Sequence, residues 1–286
     1  MTGTRPEYAA PPQFYYNADE ARKYLSNSHL VETQTRLAQR ALELASPVSP
    51  PGTPGEPLLF LDVGCGTGLS GDVLTDAGHH WVGVDVSEFM LTVAVERDVD
   101  GDAVQLDMGA GLPFRIGVFD GAISVSALQW LCNADRTEHE PRRRLRQFFT
   151  TLYASLRKGA RAALQFYPSG EAQIGMILEQ ARVAGFSGGL LVDYPHSTRA
   201  KKFYLALRAG PPEPGDGSLQ PLEEDTEGNV AIDFQRRRQR RCRNRAGATH
   251  STREYIERKK QRQARQGKAV RPPSKYSGRR RSGRAF

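Results

Sequence analysis

Seven short apolar runs alternating with helical patterns predict a doubly wound, Rossmann-like α/β sheet of seven strands. Three observations carry this: the alternation itself, from Leu58 to Leu207; the apolar strand Leu59-Phe60-Leu61-Asp62-Val63, which runs straight into Gly64-Cys65-Gly66-Thr67-Gly68; and the acids Asp62, Asp85 and Asp107, which end the first three strands. In open α/β sheets, ligands bind where successive strands end, beside the point at which strand order reverses.

The elements follow in chain order. Residues 1–16 are rich in Pro and Tyr, and Asn17, followed by Asp19 and Glu20, reads as an N-cap with acids in the first helical turn. Two helices then reach Ala45. Five prolines between Ser46 and Pro57 remove backbone donors and fix φ, so that stretch is a linker and residues 1–57 form an N-terminal extension. Strands are expected at Leu58 to Val63, Trp81 to Asp85, Ala103 to Leu106, Phe119 to Val125, Ala160 to Phe166, Leu190 to Tyr194 and Phe203 to Leu207, in a domain of residues 58–209. Connections among the early strands are long enough for crossover helices, whereas Pro195 to Lys202 suits only an antiparallel hairpin at one edge. The third strand belongs at the other edge. Residues 210–235, with Glu223-Glu224-Asp225, read as a flexible acidic linker, and residues 236–286 as a basic C-terminal tail.

The formal charge of +8 conceals a division. Residues 236–286 hold 20 Lys/Arg against 2 Asp/Glu, a net +18, and the rest of the chain carries −10. A terminal block of like charge reads as a solvated arm for polyanions, and an acidic body argues against nucleic acid coating the whole surface. Within the tail, Arg236-Arg237-Arg238-Gln239-Arg240-Arg241 and Arg279-Arg280-Arg281 suit both nuclear import and phosphate contact, and Ser251 with Glu254 matches a capping box. Cys65, Cys132 and Cys242 lie far apart with no Cys-x-x-Cys, and the six histidines lack metal-ligand spacing, so neither a disulfide framework nor a metal site is signalled. No apolar run approaches the ~18 residues of a membrane span, and the N-terminus lacks a signal-peptide core. A soluble, intracellular protein with no membrane role is expected.

The chemistry starts at the glycine turn. Glycines at alternate positions admit φ > 0 and let a ligand lie against the main chain. A dinucleotide fingerprint needs a small residue where Leu69 stands, and Asp62 at the mouth of the turn repels a pyrophosphate but accepts hydrogen bonds from an ammonium near a sulfonium. S-adenosylmethionine carries both groups, and the sheet is then that of a class I methyltransferase. Asp85, ending Val82-Gly83-Val84-Asp85, is placed to accept both ribose hydroxyls; the competing reading, a helix N-cap, is weakened by Ser87 nearby. Asp107 would accept from the adenine amine while Met108 packs on the ring. The cofactor set is Asp62, Gly64, Cys65, Gly66, Gly68, Asp85, Val86, Asp107, Met108 and Ser124.

After the fourth strand comes Ser126-Ala127-Leu128-Gln129-Trp130-Leu131-Cys132-Asn133, where such transferases hold the methyl acceptor. No Asn-Pro-Pro-Tyr-like turn is present to hold an exocyclic amine, and Cys132 has no adjacent base. An acceptor with a free lone pair, such as N7 of guanine, fits better, because attack on a sulfonium methyl then needs alignment more than a general base. Gln129, Trp130 and Asn133 are the candidate acceptor-positioning residues. Trp130 reads equally as a base-stacking platform or a core aromatic. Arg142, Arg143, Arg144 and Arg146 read as a solvated helix face, with RNA contact as the alternative.

On these residues the chain resembles the eukaryotic small-subunit (18S) rRNA guanine-N7 methyltransferases, the family encoded in the Williams-Beuren syndrome region. The likeness runs nearly end to end, through Phe14-Tyr15-Tyr16-Asn17, the glycine turn, Asp107 to Phe114, Phe119 to Asn133, Gly185 to Gly189, Val192-Asp193-Tyr194-Pro195, Lys201 to Leu205 and the Arg-rich tail. The acceptor loop and the Val-Asp-Tyr-Pro to Lys-Lys-Phe-Tyr-Leu segment are its most specific parts. The resemblance implies methylation of a guanine in small-subunit rRNA during pre-ribosome maturation, in nucleus and nucleolus with the cytoplasm also open. It further implies a heterodimer with a small zinc-binding methyltransferase activator subunit. A second function class stays open, a ribosome-assembly factor that keeps the fold as a non-catalytic binding platform. The Pro-rich segment before Leu58 and Ala110 depart from the family pattern.

Overall fold

The computed structural model describes residues 5–47, 56–134, 140–197, 200–211 and 260. The chain divides into two units, Met1–Glu224 and Asp225–Phe286. The expected acidic linker from residue 212 on, the tail clusters and the Ser251–Glu254 capping box lie outside the described residues, as does most of the Pro-rich linker.

The first unit is built on a seven-stranded sheet of order β3-β2-β1-β4-β5-β7-β6. Its strands are β1 (Leu59–Val63), β2 (His80–Asp85), β3 (Asp102–Gln105), β4 (Phe119–Val125), β5 (Leu156–Phe166), β6 (Phe186–Asp193) and β7 (Lys202–Ala209). The first five pair in parallel, and β7 pairs antiparallel with both β5 and β6, which places the expected hairpin at one edge and β3 at the other.

Four helices precede the sheet: α1 (Pro6–Ala9), α2 (Pro12–Tyr15), α3 (Ala18–Ser26) and α4 (Ser28–Ala45). The Asn17 side chain caps α3 by accepting from the Asp19 and Glu20 amides at 3.1 and 3.0 Å, and Asn27 caps α4 through the Leu30 amide. In α4, Leu37, Ala38, Ala41, Leu42, Leu44 and Ala45 are buried at helical spacing against Phe60, Ile123, Ala163 and Tyr204. Helix α4 of the N-terminal extension thus packs into one core with the sheet. Along the chain follow α5 (Leu69–Asp76), α6 (Glu88–Glu96), α7 (Pro141–Ser155) and α8 (Glu171–Val183). In α7, Leu145, Phe148, Phe149 and Leu152 lose all exposure on the opposite face, among Leu61, Ala122, Leu164 and Leu205. Each such burial contributes roughly 1.5–3 kcal/mol.

Three expectations need correction. The β3–β4 connection carries only a 3-10 turn at Met108–Ala110, not a crossover helix. Strand β5 begins four residues early because Leu156 pairs with Phe119 across a register shift. Strand β6 likewise begins at Phe186, through glycines that a propensity argument counts against a strand. Gly188 is needed there, since a Cβ would stand 2.2 Å from the Ala206 carbonyl oxygen.

Candidate functional site

A cavity of about 390 Å³ opens where β1, β2, β3 and β4 end, on either side of the switch between β1 and β4. The glycine turn forms its floor. The amides of Gly64 and Cys65 both donate to Val84 O, at 2.8 and 3.1 Å, which pins the turn to β2. Gly64, at φ +74°, leaves no room for a side chain: a Cβ would lie 2.3 Å from that of Ala127, so turn and acceptor loop press on each other. Gly64, Cys65 and Gly66 line the cavity, as do Asp85, Val86, Asp107 and Met108. Gly68 does not. It caps α5 in a left-handed conformation and abuts Val99, which is a packing role.

The two ends of the Asp85 carboxylate are held by backbone, Oδ2 accepting from Gly66 at 2.9 Å and Oδ1 from Ser87 at 2.8 Å. Burial raises its pKa, while these amides and that of Val86 draw it back down. Ser87, not Asp85, caps α6, by accepting from the Met90 amide. Asp107 accepts from the Gly109 amide and, on both oxygens, from Nη2 of Arg144 at 2.7 and 2.9 Å. That corrects the reading of the arginine cluster: Arg142 and Arg143 are exposed, whereas Arg144 turns inward, keeps 12% of its side chain exposed and lines the cavity.

Two expected cofactor residues stand behind the wall. Ser124 is buried and donates to Val63 O at 2.7 Å. Asp62 has no exposed surface; Oδ2 accepts from Ser70 at 2.6 Å, and Oδ1 has no hydrogen-bond partner among the described residues. Burial drives its pKa up to about 7, with the Ser70 hydroxyl opposing and the Asp85 charge adding to the rise. Ser70 and Cys65 occupy the wall in its place. Thr67, which sequence reasoning passed over, also lines the cavity, and its Oγ1 is buried without a partner among the described residues.

Of the acceptor residues, only Trp130 lines the cavity. It is 6% exposed and lies 6.1 and 5.9 Å, centroid to centroid, from Tyr15 and Tyr16, so it is a packed aromatic with one part on the cavity. The Gln129 amide donates to Ser126 O at 2.8 Å and the Asn133 amide to Glu7 O at 3.0 Å; both shape the loop rather than face the cavity. Between β4 and this loop Ser126 sits at φ +60°, its amide and hydroxyl tied to the fully buried Gln165 at 3.0 Å. Ser126 thus lines the cavity in a conformation that non-glycine residues seldom adopt. Burial pushes the Cys132 thiol up to about 12 and raises Cys65 as well, so neither is a thiolate nucleophile.

Sequence reasoning missed the roof. Pro12, Gln13, Tyr16, Tyr24 and Gln34 close the cavity from α2, α3 and α4. The Ser87 hydroxyl donates to Tyr16 O at 3.0 Å, which ties the roof to the end of β2. The signal was the run Phe14-Tyr15-Tyr16-Asn17, noted only as part of a resemblance. Among the described residues no group of His, Cys, Asp and Glu is placed to hold a metal, and no helix is long and apolar enough to cross a membrane.

Comparison with known proteins decides the family. A probable 18S rRNA (guanine-N(7))-methyltransferase of Dictyostelium discoideum is 48% identical over 97% of this chain and 98% of its own. The chain belongs to the 18S rRNA (guanine-N7)-methyltransferase family. Members from Mus musculus and Saccharomyces cerevisiae are 45% and 44% identical, each over 98% of its own length and 98% and 97% of this chain. The sequence family described as "Methyltransferase involved in Williams-Beuren syndrome" matches residues 214–283, and that described as "Methyltransferase domain" matches residues 60–159. Among solved structures, Haemonchus contortus phosphoethanolamine N-methyltransferase 2 with S-adenosyl-L-methionine superposes with a TM-score of 0.54 at 15% identity, over 73% of this chain and 61% of its own. A TehB-like methyltransferase from Corynebacterium glutamicum gives 0.51 at 17%, over 68% and 100%. The fold is thus the class I methyltransferase sheet, its cofactor is S-adenosylmethionine, and the catalytic reading prevails over the binding platform.

The residues present fit that cofactor. The glycine cradle excludes side chains, Asp85 offers a half-buried carboxylate, and the buried Thr67 hydroxyl has no partner among the described residues.

Proposed function

We propose that this chain transfers a methyl group from S-adenosylmethionine to N7 of a guanine in 18S rRNA, during pre-ribosome maturation. The observation that carries the reading is the acceptor side of the cavity, which holds Trp130, Tyr16 and Ser126 but no thiolate. Gly64, Gly66, Thr67 and Asp85 would hold the cofactor, which would supply an electrophilic sulfonium methyl. The protein's share is alignment. Trp130 and Tyr16 offer apolar faces that exclude water, and Ser126, locked by Gln165, fixes the loop that meets the acceptor. Guanine N7 has its lone pair in the ring plane and needs no proton removed, so a site without a dedicated base suffices.

The partner reading rests on the β3 edge. All four residues of Asp102–Gln105 are exposed, and Val104, Phe89 and Val95 present 42, 43 and 73% of their surface beside it. An open apolar edge of this kind suits strand addition by the small zinc-binding activator subunit. Nuclear and nucleolar residence is proposed from the +18 tail, whose clusters suit import and phosphate contact. The test is N7-methylguanosine mapping of 18S rRNA from cells with and without the protein, complemented by the wild type and by Gly66→Arg. Loss of one methylated guanine, restored only by the wild type, is expected. An unchanged methylation map, or restoration by Gly66→Arg, rejects the reading.

A further inference from the structure

Tyr16, just past α2, Tyr24 on α3 and Trp130 in the acceptor loop are the aromatic residues that line the cavity among the described residues. They form one row. The ring centroids of Tyr16 and Tyr24 lie 6.2 Å apart at an interplanar angle of 81°, and those of Tyr16 and Trp130 lie 5.9 Å apart at 58°. Both ends of the row are fixed to the floor of the cavity. Tyr16 and Tyr24 pack against the cluster of Ala21, Met90 and Val93, and Met90 Cε lies 3.0 Å from where a Cβ on Gly66 would stand. At the other end the Trp130 amide donates to Ala127 O at 3.1 Å, and Ala127 is the residue that presses on Gly64. The rings therefore reach from the Gly66 side of the cradle to the Gly64 side.

Charge is unevenly placed around them. The lining holds two carboxylates, Asp85 at the end of β2 and Asp107 just past β3. Asp107 is met by Arg144, and Asp85 accepts from the Gly66 and Ser87 amides. The lining supplied by the glycine turn, the acceptor loop and the roof contains no carboxylate, and Asp62 stands behind it. S-adenosylmethionine carries its sulfonium one methylene from the ribose, on the side away from the adenine. A ribose held at Asp85, with its adenine toward Asp107, would follow the strand order and bring that cation to the β1–β4 switch, where Tyr16 and Trp130 meet. An aromatic face attracts a cation within about 6 Å of its centroid, indole most strongly, and more so where water is excluded.

We infer that Tyr16 and Trp130, backed by Tyr24, form a cation-binding wall that distinguishes the sulfonium donor from its neutral product. When the methyl group leaves, the electron pair of its C–S bond stays on sulfur and the positive charge passes to the acceptor, so S-adenosylhomocysteine is an uncharged thioether at the same atom. The wall attracts the donor and is indifferent to the product, which favours exchange of spent cofactor for fresh. The inference rests on the cofactor and not on the RNA reading.

The test is calorimetric titration of the full-length chain with S-adenosylmethionine and, separately, with S-adenosylhomocysteine. It is run at pH 6, where the Asp62 carboxyl, with its pKa of about 7, largely keeps its proton and adds little to the discrimination. The variants are Tyr16→Leu and Trp130→Leu, with Tyr16→Phe and Trp130→Phe as aromatic replacements. A further form is the wild-type chain carrying fluorinated tryptophan, which keeps the shape of the indole while drawing electron density from its face. Trp81, the only other tryptophan, is buried and does not line the cavity. Each leucine variant should lose about tenfold in affinity for S-adenosylmethionine and stay within about twofold of wild type for S-adenosylhomocysteine. The phenylalanine variants should keep the ratio of the two affinities within about threefold. Added fluorine atoms should weaken the donor stepwise and leave the product unchanged. Equal losses for both ligands in the leucine variants indicate a wall that only packs and overturn the inference, as does donor affinity indifferent to fluorination. If the leucine variants do not fold, the fluorinated chain decides alone. A wild-type chain that binds neither ligand removes the cofactor assignment and the inference with it, a result distinct from equal losses in the variants.

Discussion

Asp62→Asn should make this protein more stable at neutral and alkaline pH while weakening its cofactor. The parent carboxyl is fully buried, one oxygen bound to Ser70 and the other without a partner among the described residues, and its pKa stands at about 7 against an ordinary 3.8. Between those values the folded state keeps a proton that the unfolded state has released. Stability from this group is therefore fully present below about pH 4 and is lost as pH rises through 7. A rise of about three units, at 1.36 kcal/mol each, amounts to on the order of 4 kcal/mol by pH 8. Asparagine keeps the acceptor for Ser70 and cannot ionise. Urea midpoints at constant ionic strength from pH 4 to 8, with matched m-values, should show the stability difference moving toward the variant by that amount. Asp85 and Asp76 titrate in the same direction in both proteins and largely cancel. In parallel, cofactor affinity of the parent should rise several-fold through pH 7 and that of the variant should not, because only the parent develops a negative charge behind Ser70. A pH-independent difference, or one that moves against the variant, refutes the argument.

Three further outcomes follow from named contacts. Gly66→Arg places a side chain in the cradle, where even a Cβ meets Met90 Cε at 3.0 Å, and should reduce S-adenosylmethionine affinity at least 100-fold by calorimetry while the circular dichroism of the sheet persists. Arg144→Ala leaves Asp107 without its guanidinium; cofactor affinity should fall about tenfold, and stability, for a pair whose carboxylate is 37% exposed, by only about 1 kcal/mol in thermal melts. Deleting residues 236–286 removes a net +18 and should leave cofactor affinity intact while RNA binding loses most of its salt dependence; an unchanged slope would assign that binding to the body.

Much of the fold was legible because its signals are local. Alternation of apolar runs located every strand, and the short Pro195–Lys202 connection placed the hairpin, since both depend on neighbours in sequence. The failures share a different cause. Strand β6 begins on glycines because the Ala206 carbonyl approaches Gly188, a contact made only in the finished sheet. Arg144 is one of several arginines in sequence, and nothing local tells it from Arg142; the sheet selects it by setting Asp107 opposite. Asp62 and Ser124 lie on the right strands but face the interior, since the strand period of two turns them behind a wall made by Cys65 and Ser70. The roof went unread because Pro12 to Tyr16 has the composition of a tail, and only packing against Trp130 and Ser87 gives it a place.

These long-range contacts make donor and acceptor sides a single mechanical unit. Gly64 can lie against Ala127 only because it has no Cβ, and Ala127 follows Ser126, whose left-handed backbone is held by Gln165 on β5. The cradle proposed for the methyl donor and the loop proposed for the acceptor thus meet in one contact, at the switch point of the sheet. The roof closes the arrangement, because Tyr16 is bound through its carbonyl to Ser87 beside Asp85, and Asn133 at the far end of the loop is bound to Glu7. For a reaction that needs alignment rather than proton transfer, such coupling is where catalytic power resides, since a displacement of about 1 Å costs on the order of 100-fold in rate. Gln165, which does not line the cavity, would on the proposed function act as a positioning group through Ser126.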